Sequence, residues 1–318
     1  MKKTDVNTGE ILVDIISAAI QLPGVKVNRK TFLLEQFKDA PPEIKEIILA
    51  RGPIKAKCSR DKLKRRAEKI VNDRTLISSG ASFAAGMPGG LAMAATIPAD
   101  TLQFYAVVLR MAQEIAYLYG EDDLWTEETL DMEKVTNQLI LYCGVMLKVA
   151  GAAQTLRIIS SPLAKRIMKK LPQKTMTKTL YYAVVKSIVK TVGTNMTKSV
   201  FSKGATKLVP VIGGVVSGGM TMLTMKPMGM RLVEALDKAH YAYTQFDFDS
   251  DWNALVKECN DAVEAMDKQQ TANPNVTQAS ASTSPVFEEL KQAKKMMEEG
   301  ILSEEEFAEI KAKLIAKL

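Results

Sequence analysis

Residues 100–120 read DTLQFYAVVLRMAQEIAYLYG, and this stretch decides the fold. Asp100 with Gln103 three positions on has the form of an N-terminal capping box, and Gly120 supplies the residue type that most often ends a helix. Between them Leu102, Tyr105, Ala106, Leu109, Ala112, Gln113, Ala116 and Tyr117 recur at helical spacing. Arg110 and Glu114 stand four apart, the spacing of an ion pair on one helix face. A catalytic role is the competing reading of Asp100; a cap accounts for its position without one.

Working outward toward residue 1, the same grammar repeats. Asn7 and Glu10 form a capping box ahead of Ile11, Leu12, Ile15, Ile16 and Ala19, and Pro23-Gly24 stops that helix. A second helix is expected over Asn28 to Lys38. Pro41-Pro42 opens a third, which carries Ile44, Ile47, Ile48 and Leu49 up to Gly52-Pro53. The stretch from Lys55 to Arg74 is dense in cations, including Lys62, Lys64, Arg65, Arg66 and Lys69, and reads first as a solvated surface helix, with membrane-surface or nucleic-acid contact as the alternative.

Composition agrees with a helical chain. The 318 residues are 47% hydrophobic but only 6% aromatic, with 17 methionines, a balance that suits helical packing better than a sheet. Cys58, Cys143 and Cys259 are far apart and form no C-x-x-C pair, so neither a disulfide framework nor a cysteine zinc site is expected, and a reducing compartment fits. Asp5 and Glu10 interrupt any apolar run of the length a secretory signal needs, which makes the cytoplasm the expected address.

Two uncharged, glycine-rich segments, 75–99 and 208–225, need a separate reading. The first carries Gly86 and Gly90 around Pro88 and is expected to form two short helices; the second carries Gly214 and Gly218. Glycines four apart let helix backbones approach closely, in lipid or in a soluble core. Both segments approach the roughly 20 apolar residues of a membrane span, so burial as a helical hairpin and membrane insertion both stand as readings.

Charge is distributed unevenly. The net charge is +7, yet no acidic residue lies between Glu133 and Glu234. Thr126, followed by Glu127 and Glu128, is expected to cap the helix that leads into this window through Leu139 to Val149. Within it, Lys165, Arg166, Lys169, Lys170, Lys174, Lys178, Lys186 and Lys190 are the candidate contacts for a polyanion, with anionic lipid preferred and nucleic acid the alternative. An acidic surface elsewhere on the chain is a third way to satisfy them.

Residues 267–284 are rich in Ser, Thr, Gln and Asn and read as a flexible tether. Behind them, 285–318 read as a two-helix hairpin. Ser284 caps, Pro285 takes the first helical position, Gly300 ends the first helix, and Ser303 with Glu306 boxes the second. Its apolar face is Phe287, Leu290, Met297, Ile301, Leu302, Phe307, Ile310 and Leu314. So small a core rarely stands alone, so association with another copy, with the body or with a different protein is expected.

Familiar chemistry is sparse. His240 is the single histidine, and no G-x-x-x-x-G-K-[ST] phosphate loop occurs. Asp247, Asp249, Asp251 and Glu258 take positions 1, 3, 5 and 12 of a calcium loop, but Trp252 stands where that loop requires glycine. The preferred reading is an acidic turn in which Asp251 caps a helix running to Met266. No catalytic set, metal, cofactor or small-molecule substrate is expected.

The tail resembles the SHOCT module through Leu290, the run Glu299-Gly300-Ile301-Leu302-Ser303-Glu304-Glu305-Glu306-Phe307, and Lys313-Leu314. That resemblance implies an oligomerisation or interaction element. Residues 75–240 resemble the EcsC-type helical family through Ile97-Pro98-Ala99-Asp100, Tyr119-Gly120, Val209-Pro210-Val211-Ile212-Gly213-Gly214 and Gly218-Gly219. This second resemblance implies a protein at the inner face of a membrane, beside an ABC transporter in some relatives.

The expectation is therefore an all-α chain with a multi-helix body over 1–266, a linker over 267–284 and a hairpin over 285–318. Within the body, 1–74 supply amphipathic helices and 75–266 a glycine-rich, basic core. The expected function is non-enzymatic contact with anionic lipid or a membrane partner, with a soluble nucleic-acid binder and a membrane-perturbing effector as alternatives.

Overall fold

The computed structural model describes residues 11–77, 97, 99–126, 131–170, 174–201 and 218–257. The helices are α1 (Ile11–Ile20), α2 (Arg29–Gln36), α3 (Pro42–Arg51), α4 (Arg60–Ile77), α5 (Ala99–Leu118), α6 (Met132–Met146), α7 (Ala152–Ser160), α8 (Pro162–Lys170), α9 (Lys174–Phe201) and α10 (Gly218–Tyr241). A further helical stretch, α11, covers 245–257. Among the described residues the regular structure is all helix, and no helix is long and apolar enough to cross a membrane. The box at Asn7 and Glu10, most of both glycine-rich segments, the linker and the hairpin lie outside the described residues.

Helix α5 is the centre, packed by α1, α2, α4, α6 and α10; it starts at Ala99, so Asp100 lies in its first turn rather than at the cap expected of it. Its stripe is only part of its apolar surface: Val107, Val108, Met111 and Ile115 lie off it and are also buried, so from Tyr105 onward Arg110 alone escapes full burial. A helix apolar on every side belongs inside. Gly120 ends it as expected, at φ 84°, with Glu121 N–H donating to Ala116 O and Gly120 N–H to Tyr117 O. That paired arrangement satisfies carbonyls the helix itself leaves open.

Two polar side chains on this buried helix fix its neighbours. The Gln113 carboxamide uses all its capacity: it accepts from Val27 N–H and Trp125 Nε1–H and donates to the Val25 and Leu109 carbonyls. Next to it, Glu114 takes two bonds from Arg74, at 2.7 and 2.5 Å, and one from Arg110 at 3.0 Å. The expected Arg110–Glu114 pair is present; the second arginine comes from α4.

Helix α4 corrects the surface reading of its sequence. It starts at Arg60, and Leu63, Ala67, Ile70, Val71 and Thr75 are buried beneath the cations. These positions, spaced four, three, one and four, make a stripe that packs on α10 and α5. Of the cations singled out in the sequence, Lys62, Lys64, Arg65 and Lys69 are left to solvent and Arg66 is half-buried. Helix α10 comes close at Gly229, where an added Cβ would lie 2.7 and 2.9 Å from the two Val71 methyls. Helix α6 corrects another boundary: its cap is Asp131, whose carboxylate accepts from Lys134 N–H at 3.1 Å, rather than Thr126.

The expected stop at Gly52 proves more than a helix end. Its backbone, φ 82° and ψ 162°, is open only to glycine, and a Cβ there would sit 2.9 Å from the Gly120 Cα. Arg29 holds this corner, donating to Leu49 O at 2.9 Å and Glu121 O at 3.0 Å. Gly52→Ala combines backbone strain with a clash against main chain that cannot rotate away. The expected loss is at least about 2–3 kcal/mol, read as a lower urea midpoint with an unchanged slope.

Candidate interaction surface

The acid-free window folds into α7, α8 and α9, with its cations sorted by direction. Ser161, extended because Pro162 follows it, separates α7 from α8, and its hydroxyl accepts from Ala164 N–H at 3.3 Å. On α8, Ala164 is buried and Leu163, Ile167 and Met168 are half-buried on one side, while Lys165, Arg166 and Lys169 stand exposed on the other. On α9, Leu180, Val184, Val185, Ile188 and Val192 face the core. Tyr182, Lys186 and Lys190, each four residues from the next, form an exposed row.

Among the described residues, two cations of the window turn inward. Arg157 donates to Asp251 at 2.9 and 2.5 Å, and Tyr243 O–H donates to the same carboxylate at 2.8 Å. Arg231 donates to Met146 O at 2.7 Å. Among the described residues, no salt bridge engages Arg166, Lys169, Lys186 or Lys190. The backbones of Lys170, Lys174 and Lys178 belong to α8 and α9, but their side chains lie outside the description. Gly218 starts α10, whereas Gly86, Gly90, Gly214 and the hairpin face fall on residues that are not described.

The acidic segment after α10 is a correction. Residues 245–257 are helical, and Thr244 with Asp247 forms the cap: Asp247 N–H donates to Thr244 Oγ1 at 3.2 Å and Thr244 N–H to Asp247 at 2.9 Å. Asp251 therefore lies inside α11, spent on Arg157, and Asp249 accepts from Gln245 at 3.0 Å. A continuous helix cannot wrap these three carboxylates around one ion, and among the described residues no metal-binding group of His, Cys, Asp or Glu assembles.

Sequence reasoning missed one polar cluster because its members are far apart in the chain. His240 stacks on Tyr119 and places Nε2 3.4 Å from Glu121 Oε1, close enough for an ion pair when the ring is protonated but without hydrogen-bond geometry. Burial raises the Glu121 carboxyl, yet His240, the Ser160 hydroxyl and the charge of Lys165 outweigh it and hold the group below its ordinary value. Serine, histidine and glutamate are the residue types of a hydrolytic triad, but Ser160 is 1% exposed, and as packed the cluster is closed to a substrate.

Because the folded Glu121 binds its proton less readily than the unfolded one, its contribution is present above the ordinary carboxylate range of about 4 and lost below it. Asp247, held well down by Lys238 and Thr244, acts in the same sense. Unfolding free energy measured by urea titration is expected to fall as the pH drops from about 5 to 3, and Glu121→Gln should flatten part of that slope.

Residues 290–317 match the family model of the SHOCT domain. No curated protein and no solved structure matches the chain. The tail is thus similar to the SHOCT domain over nearly all of the expected hairpin.

Proposed function

We propose that this chain is a non-enzymatic, membrane-associated helical protein that lays the exposed basic face of α8 and α9 on anionic lipid, or on an acidic membrane partner, and assembles through residues 285–318. The observation that carries the reading is the set Arg166, Lys169, Lys186 and Lys190, exposed and without a salt bridge among the described residues. Cations that the fold needs are held against carboxylates, as Arg157 is against Asp251; these four, like Lys62, Lys64, Arg65 and Lys69 on α4, are not.

Lipid is favoured over nucleic acid by what surrounds them. Tyr182 is 46% exposed four residues before Lys186, and the half-buried Leu163, Ile167 and Met168 lie beneath the α8 cations. An amphipathic aromatic ring beside lysines suits the headgroup layer. The resemblance of residues 75–240 to the EcsC-type family supports the same placement at the inner face of a membrane. The match of 290–317 to the SHOCT domain supports assembly through the tail.

Flotation with vesicles of phosphatidylglycerol and phosphatidylcholine tests the lipid contact. Each cation near an anionic surface contributes on the order of 1 kcal/mol, so Lys186→Gln with Lys190→Gln should weaken partitioning roughly tenfold or more at low salt. Protein that ignores anionic vesicles at low salt but binds duplex DNA with a steep salt dependence overturns this reading in favour of nucleic acid.

A further inference from the structure

The basic surface and the acidic run of the tail have opposite charge, and the last described helix packs beside that surface. From Met296 to Ile310 the sequence carries Glu298, Glu299, Glu304, Glu305, Glu306 and Glu309 and no cation. This acidic run spans the turn of the expected hairpin. Its charge is complementary to Arg166, Lys169, Lys186 and Lys190, for which the described body offers no carboxylate partner.

The last described element ahead of the tail is α11. Asp251 locks this helix to α7 through Arg157, and Trp252 and Leu255 line one crevice together with Leu180 and Tyr181 of α9. At 1.5 Å per residue, Lys186 and Lys190 lie only about 8 and 13 Å along α9 from Tyr181. Taken as a flexible coil, the 18 residues of the expected linker, 267–284, would have a root-mean-square reach of about 23 Å. The acidic run is therefore held near the basic row at an effective concentration in the millimolar range, far above the concentration of a second copy in solution.

We propose that the acidic turn of residues 296–310 docks in cis on the α8–α9 basic surface and competes there with anionic lipid. The competition rests on the lipid-contact reading above; the docking itself does not. In water the tail occupies the lysines, and a membrane with enough negative charge displaces it. Displacement frees the acidic turn from the body. The lipid affinity of the intact chain is lowered by the fraction of molecules in the closed form.

Zero-length carbodiimide cross-linking of the full chain, prepared as a mixture of natural and heavy-isotope copies, tests the docking. The expected result is amide links between the Glu304–Glu306 run and Lys186, Lys190 or Lys169 within single-isotope peptides, lost at high salt and absent from the Lys186→Glu, Lys190→Glu chain. Links found only in mixed-isotope peptides show that a second copy's tail is the occupant and overturn docking in cis; absence of such links overturns docking altogether. The competition is read by flotation on the same vesicles. Converting all six glutamates to glutamine, which keeps the Ser303 capping box, should raise affinity roughly three- to tenfold. Equal affinity of the two chains overturns competition. Intrachain links in a protein that floats with neither form leave the docking standing and overturn the lipid reading.

Discussion

Everything in the first half of the fold is indexed to two adjacent polar side chains on a helix that has no polar surroundings. Gln113 and Glu114 are both buried on α5, and a buried amide or carboxylate left without partners costs several kcal/mol. Gln113 can be satisfied only if the Val25–Val27 segment and Trp125 converge on it, and Glu114 only if α4 presents Arg74. Apolar packing alone would let α5 slide or rotate with little penalty. These two residues remove that freedom, and α4, once fixed, gives α10 its seat at Gly229 and its ion pair between Arg60 and Asp237.

The same demand divides the cations by chemistry. Arg29, Arg60, Arg74, Arg110, Arg157 and Arg231 all bond carboxylates or backbone carbonyls inside the fold. The described cations around Lys186 and Lys190 are mostly lysines and stand in solvent. A planar guanidinium makes several directed bonds and is weakly hydrated, whereas an ammonium holds its water and prefers the surface. Within the basic window, the inward arginines Arg157 and Arg231 are thus overlaid by an exposed set composed mainly of lysines, with Arg166 as the exception.

Features legible in the sequence were those governed by local rules. The body of α5, its glycine stop, the Arg110–Glu114 pair and the start of α3 at Pro42 each follow from residues within one or two turns, whereas the Asp100 box misplaced the start of α5, which lies at Ala99. The hidden features depend on partners that the sequence keeps far apart. The stripe of Leu63, Ala67, Ile70 and Val71 was masked by the lysines and arginines interleaved with it. Gly229 stands alone, so a search for paired glycines passes over it. Asp251 resembles a metal ligand until Arg157, 94 residues away in sequence, claims it. In the candidate surface, the identity of the cations was readable, but which ones the fold would neutralise was not.

The buried pair between Asp251 and Arg157 anchors α11, the last described element ahead of the linker, and this has a consequence for how such a chain can change over generations. With α11 anchored, the local concentration of the tail at the basic row depends on linker length, falling roughly as the −3/2 power once the span is covered. Insertions or deletions in a polar segment are tolerated far better than changes in a packed core. The threshold for releasing the tail can therefore drift or be selected through linker length alone, while both charged surfaces and the helical body stay as they are.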